Sequence, residues 1–362
     1  MQVDVALRWS WMNVLTFKRY EALLAQFGSL EIALENVSLE LLQSLGCREE
    51  TAIIGMNRIE EMDTEQYARE LQKRGIQLIT IDDDIYPSAL RQIDDRPIFL
   101  HAIGDLSILD QPCLALVGTR EMSDYGRRVT GLFIPEIVSA GMVTVSGLAY
   151  GIDAEVASET LRAGGKTVAV LGHGLGMIYP KANQVLAKDI VEKGGLVLSE
   201  FPLDIRPDKF TFPARNRIIA GLSLGTVVIE AAEGSGSLIT AELALDYNRD
   251  VFAVPGQIFD VNYAGCHQLI SKGTAKLVTT AKDVLTEIGI VASARAPEDS
   301  SFTPDSPEED TVYQSLTSMP SAIDDIAVKT ALDAASLSAI LTVLELKGAV
   351  ENVGAGKWVR KS

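Results

Sequence analysis

Residues 113–120 read CLALVGTR and residues 142–153 read MVTVSGLAYGID. In each, a short apolar run ends at glycine or a small polar residue, and a helical pattern follows. Similar apolar runs recur at 167–171, 196–198, 226–229, 251–254 and 276–278. The intervals are long enough for crossover helices, which predicts a mostly parallel sheet covered on both faces. In an open α/β sheet the ligand crevice lies at the carboxyl ends of the strands. Those ends carry Gly118, Ser146 with Gly147, Gly172 and, a little after the fifth run, the loop EGSGS at 233–237. The predicted site is this row of turns along one edge of the sheet.

The flanking sequence divides the rest of the chain. Before the sheet, apolar periodicity near 14–26, 38–45 and 50–59, with turns at Gly28 and Gly46, predicts a small helical bundle. Residues 37–56 have the outline of a helix-hairpin-helix or of an ordinary helix pair. Their turn lacks a second glycine and acids surround it, so no DNA contact is assigned there. Residues 298–310, EDSSFTPDSPEED, carry six acids and no base, the composition of a self-repelling linker. After it, three helical stretches and two short strands around Gly354-Ala355-Gly356 describe a winged helix. Its recognition helix begins at Ser336 and reads SLSAILTVLELKG, with one cation, which points to protein interaction or a vestigial wing rather than base reading. The predicted boundaries are 1–80, 81–291, a linker at 292–310, and 311–362.

Composition bounds the function. The chain has 362 residues, 47% of them hydrophobic, and a net charge of −17, which excludes wholesale disorder. No apolar run is long enough for a membrane span, and the start MQVDVALRW has no basic region leading into an apolar one, so the cytoplasm is expected. Cys47, Cys113 and Cys266 are far apart, as suits reduced thiols; His101, His173 and His267 are equally scattered, and no zinc motif appears. The acidity is uneven. Residues 206–217, RPDKFTFPARNR, hold three arginines and one lysine against one aspartate, a local +3 on which a polyanion could settle.

Each glycine turn is a candidate anion seat, because backbone N–H groups and the helix dipole point there. Gly118-Thr119-Arg120 followed by Gly126 is not GxGxxG, and Arg120 puts a cation where a dinucleotide fold wants bare glycine, which disfavours a nicotinamide site. The turn at 146–153 frames two glycines before Asp153. The turn at 172–176 precedes Lys181 and Asn183, with His173 read as a solvated loop residue that has no nucleophile paired to it. At 210–223, aromatics alternate with cations, the pattern single-stranded nucleic acid requires for stacking and phosphate contact. The competing reading puts Phe210 and Phe212 in the core and pairs the arginines with Asp204 and Asp208.

In order along the chain, VGTR (117–120), SGLAYGID (146–153), LGHGLG (171–176) with Tyr179-Pro180 and Asn183, SEFP (199–202), FPARNRIIAGLS (212–223), Glu230-Ala231-Ala232, GSLIT (236–240) and VPG (254–256) closely resemble the DNA-processing protein A family, DprA or Smf. YPSAL at 86–90 and GDL at 104–106 resemble the same family's approach to its Rossmann-like domain. The resemblance implies an extended Rossmann-like α/β domain with a mostly parallel sheet, an N-terminal sterile-alpha-motif-like helical domain and a C-terminal winged helix. It implies a non-catalytic, dimeric protein without cofactor that binds single-stranded DNA, protects incoming strands, accommodates single-strand-binding protein and loads the recombinase RecA in natural transformation. Carried onto matching positions, the DNA site comprises Gly118, Arg120, Ser146, Gly147, Gly174, Lys181, Asn183, Lys209, Phe212, Arg215, Asn216 and Arg217. In this assignment Arg120, Arg215 and Arg217 clamp phosphates and Phe212 stacks a base. The arrangement also resembles Rossmannoid phosphoribohydrolases. Under that alternative Glu230 and Glu242 are relics of a nucleotide-cleaving site; the favoured reading makes them partners of Arg215 and Arg217.

Overall fold

The computed structural model describes residues 1–290, 304–317, 320–354 and 356–360. The chain forms two compact units, Met1–Ser293 and Ala294–Ser362.

The first unit opens with six helices: α1 (Val3–Met12), α2 (Phe17–Phe27), α3 (Leu30–Glu35), α4 (Leu39–Ser44), α5 (Glu49–Glu60) and α6 (Thr64–Lys73). Four of them start where the sequence supplies a cap: the Thr16, Ser29, Ser38 and Asp63 side chains each accept a first-turn N–H. Trp9 is fully buried at their centre and donates its indole N–H to the Leu30 carbonyl at 3.0 Å.

The sheet follows: β1 (Gln77–Thr80), β2 (Phe99–Gly104), β3 (Cys113–Gly118), α7 (Asp124–Ser139), β4 (Val143–Ser146), α8 (Ile152–Arg162), β5 (Thr167–Val170), α9 (Gln184–Glu192), β6 (Leu196–Ser199), α10 (Thr211–Leu222), β7 (Gly225–Glu230), α11 (Gly236–Asp246), β8 (Asp250–Ala253), α12 (Ala264–Ser271), β9 (Lys276–Leu277) and α13 (Ala281–Glu287). Strand order is β1-β2-β6-β5-β4-β3-β7-β8-β9. All pairings from β6 to β9 are parallel, whereas β2 runs antiparallel to both β1 and β6. The seven expected parallel strands are present, and β1 and β2 extend the sheet beyond the expected set. The pleat sorts the core. Leu114 and Leu116 of β3 face Phe133 and Ile137 of α7, while Ala115 and Val117 share the cluster of α10 and the N-terminal helices.

One buried polar contact ties those helices to the sheet. His101 of β2 is fully buried, and its Nε2 lies 3.3 Å from the Ser10 hydroxyl and 3.1 Å from that of Tyr67. Desolvation lowers its pKa to about 4. The three cysteines are free and buried.

The second unit contains α14 (Pro307–Ser315), β10 (Ser321–Ala322), α15 (Ile323–Thr330), α16 (Ala334–Leu346), β11 (Val350–Gly354) and β12 (Lys357–Arg360), with sheet order β10-β12-β11. Val312, Ile326, Leu337, Leu341, Leu344 and Trp358 form its core. Residues 298–303 of the acidic stretch lie outside the described residues, and its end already belongs to α14. Among the described residues no single helix is long and apolar enough to cross a membrane.

Candidate nucleic-acid interface

A crevice opens where the turns after β3, β4 and β5 meet the start of α10. It is lined by Arg120, Gly147, Tyr150, His173, Tyr179 and Arg215, with Phe212, Ala149, Gly172 and Pro180 completing the wall. The structure thus brings Arg120, Gly147, Phe212 and Arg215 together from three separate motifs.

Arg215 is the buried element. It is 5% exposed, and its Nη1 lies 3.7 Å from the Asp153 carboxylate in the first turn of α8. Burial lowers the guanidinium's pKa; Asp153 opposes that shift and Arg120 adds to it. Burial likewise pushes the Asp153 carboxyl up, against the pull of Arg215 and the Gly147 N–H, which donates to Oδ2 at 3.2 Å. A Cβ at Gly147 would overlap the Arg215 guanidinium, so glycine is what lets the cation lie against this turn. Arg215 Nε is buried and has no hydrogen-bond partner, so this guanidinium, which lines the crevice, is not fully satisfied by the protein.

Arg120 is the exposed element. Its guanidinium lies 5.1 Å from the Phe212 ring centroid, and among the described residues it has no ion-pair partner. Tyr179 flanks the same ring at 6.4 Å, and Tyr150 and Tyr179 are each about half exposed. Two cations and three aromatic rings therefore share one opening. Tyr150 and Tyr179 are missing from the predicted set although both lie inside quoted motifs; the signal was an aromatic next to a glycine turn.

The remaining predicted residues sit elsewhere. Arg217, two positions after Arg215 on α10, pairs with Glu200 and reaches Asp95 at 3.7 Å; its charged group is held inside the protein. Asn216 donates to the Gly236 carbonyl at 3.2 Å, Ser146 to the Leu116 carbonyl at 2.8 Å, and Asn183 to the Leu148 and Ala149 carbonyls. These polar groups brace the turns. Gly118 packs against Ile152, where a Cβ would clash. The Gly174 N–H donates to Ile205 at 2.9 Å, so it is not a free anion donor. Lys181 and Lys209 are exposed, and Lys209 Nζ stands 4.9 Å from the ring of Phe210, itself 71% exposed.

Three side-chain expectations are corrected. His173 is buried, not solvated: it contacts the Gly174 carbonyl through Nδ1 at 3.0 Å and accepts the Tyr179 N–H through Nε2 at 3.3 Å, folding the turn onto itself. Glu230 and Glu242 partner neither arginine; Glu230 is fully buried against Ser123 and Glu242 is exposed on α11. Asp204 and Asp208 pair with neither arginine. Asp204 instead accepts both Arg58 Nη atoms, at 2.7 and 2.8 Å, and Asp208 accepts the Phe210 N–H. Arg58 also stacks on Trp11, so the helical segment holds the loop leading to α10.

Residues 77–289 match the family of the DNA recombination-mediator protein A, and residues 293–356 match the DprA winged helix domain. The chain is 45% identical over 258 residues to the DNA processing protein DprA of Streptococcus pneumoniae, covering 70% of this chain and 89% of that one. The X-ray structure of the S. pneumoniae protein superposes with a TM-score of 0.67 at 39% identity, over 79% of this chain and 99% of the other. A structure of DNA processing protein A from Helicobacter pylori gives a TM-score of 0.53 at 30% identity, over 59% and 95%. With its paired matching domains and its crevice of arginines and rings at the strands' carboxyl ends, this chain belongs to the DNA recombination-mediator family of DprA and Smf proteins.

Proposed function

We propose that the crevice binds single-stranded DNA, and that the protein, as a homodimer, protects incoming strands and loads RecA onto them during natural transformation, alongside single-strand-binding protein. One observation carries the reading. Arg120, without a carboxylate partner among the described residues, lies over Phe212 beside the half-satisfied Arg215. A cation and a stacking ring in one opening suit a strand whose bases are free, because a duplex hides its base faces. The single-stranded-DNA binding mode of the H. pylori protein, 30% identical, supports it. Lys181 and Lys209, exposed outside the crevice lining, are further cations a longer strand could meet. Three or four phosphate contacts give a log-log salt slope of roughly −2 to −3 per crevice, and two crevices on one strand raise avidity by about 10² to 10⁴.

The test is fluorescence anisotropy of labelled single- and double-stranded oligonucleotides of one sequence across salt. A single-strand preference whose slope shrinks by about one-half to one unit in Arg120→Ala is expected. Equal affinity for both forms, or an Arg120→Ala variant with unchanged affinity and slope, overturns the assignment. Nuclease protection and RecA filament assembly on the same oligonucleotide then test the two downstream roles.

A further inference from the structure

The sheet has a second place suited to an anion, and the chain fills it with its own carboxylate. From β3 the chain moves to one side through β4, β5 and β6, and β7 returns on the other side of β3. Such a reversal opens a crevice at the strand ends, faced by the N–H groups of the helix that follows the first strand. Here that helix is α7, capped by Ser123. In front of it sits Glu230, the last residue of β7, with no exposed surface. Its Oε2 accepts both the Ser123 N–H and the Ser123 hydroxyl at 3.0 Å, and Oε1 lies 3.3 Å from the same nitrogen.

Two independent features mark this as a built anion seat. The first is Gly126, in the first turn of α7, where any Cβ would overlap Glu230 Oε2. The helix is kept bare where the negative group lies. The second is the Tyr263 hydroxyl, on a residue 1% exposed, which completes no hydrogen bond of full geometry although Ser123 and Glu230 both lie close enough to act on it. It is a donor in excess of what one carboxylate satisfies. Among the described residues Glu230 has no ion-pair partner, so its charge rests on the α7 N-terminus and the Ser123 donors.

We propose that Glu230 is a resident anion occupying the phosphate seat of the sheet's reversal point, which closes that seat to phosphate monoesters. Anionic ligands arriving at the strand ends are left with the Arg120 and Arg215 crevice. This role of Glu230 is independent of whether that crevice binds DNA.

The experiment follows thermal unfolding of the full chain in inorganic phosphate against chloride of equal ionic strength. Glu230→Ala empties the seat, whereas Glu230→Gln keeps it filled with a neutral group of the same shape. At phosphate about ten times its dissociation constant, the Ala variant should gain about 3 °C over the chloride control, and wild type and the Gln variant should gain less than half of that. Phosphate bound at the arginines would shift all three proteins alike. Equal shifts in the three proteins, or no shift in a folded Ala variant, overturn the proposal. If the Ala variant is insoluble, refolding asks the same question: recovery in phosphate but not chloride supports the seat, and recovery in both or in neither overturns it. The anisotropy assay reports separately on the crevice, so the two readings fail independently.

Discussion

The crevice of the sheet unit and helix α16 of the winged unit both occupy positions where such folds hold nucleic acid, and they are made of opposite materials. The crevice concentrates two arginines and three aromatic rings on the start of α10 and on turns fixed by buried hydrogen bonds. Helix α16, Ala334–Leu346, contains no arginine or lysine, and Lys347 just after it is held by Asp305 and Glu309. A fold's usual binding element is thus no guide without the charges to serve it; function follows the site.

The largest expected effect is in stability. Arg215→Ala leaves Asp153 as a buried carboxylate without its cation, and loss of one partner of a buried pair costs about 3–5 kcal/mol. Urea unfolding measures it, and the Arg215→Ala, Asp153→Ala double variant should cost less than the sum of the singles. In the winged unit Lys347→Ala removes a solvent-screened ion pair and should cost far less than the loss of Arg215. Similar losses in both units would erase the distinction between a buried and a surface charge.

Acid should separate the units next. His101 favours its neutral form when folded, with a pKa of about 4 against an ordinary 6.5. Between those values the unfolded chain binds more protons, so this contribution is complete above pH 6.5 and is lost as pH falls toward 4, by about 3 kcal/mol in all. Residues 304–360 contain no histidine. There the Lys347 hydrogen bond holds Glu309 below its ordinary 4.5, so that stability persists above this value and goes only as pH falls through the depressed one. Calorimetry from pH 7 to 4 should show the sheet unit's transition moving first, and His101→Gln should flatten it. A sheet transition that ignores pH across this window contradicts the assignment.

These contrasts were legible in the sequence to different depths. Six of the parallel strands announced themselves because burial on both faces makes each a short apolar run, as in CLALVG, whereas β9, Lys276–Leu277, is exposed at the end of the sheet. Strands β1 and β2 did not: QLIT is half-exposed at the sheet edge, and FLHAIG is interrupted by a histidine whose partners come from α1 and α6. The alternation of rings and cations at 210–217 revealed Phe212 and Arg215. It did not separate Arg215 from Arg217, because two residues on a helix turn the side chain by about 200° and the partners of each lie on other elements. Likewise the glycines marked the turns correctly, and close packing already requires glycine at 118 and 174.

In affinity, Phe212→Ala should weaken single-strand binding by about 1–3 kcal/mol, roughly 5- to 150-fold, with little change in salt slope, since a ring contributes stacking and not charge. Anisotropy distinguishes this from Arg120→Ala, which changes the slope. A Phe212→Ala variant that binds as wild type would remove the ring from the strand's path and leave the crevice a phosphate clamp alone.

The smallest effect is expected from the winged unit, and it is the sharpest check on the comparison. Truncation after residue 290 removes a unit whose helix at the recognition position presents Ser336, Ser338 and Thr342 among aliphatic side chains. Such a surface has no cations to release counterions from a phosphate backbone. Truncation should therefore change oligonucleotide affinity less than about twofold and leave the salt slope unaltered, for single and double strands alike. A slope that falls by one unit or more would mean that Lys357 and Arg360 of β12 bring phosphates to the wing, and the unit without cations on its recognition helix would be a DNA module working through its hairpin. An unchanged slope leaves the wing's apolar α16 to protein contacts and the strand to the crevice.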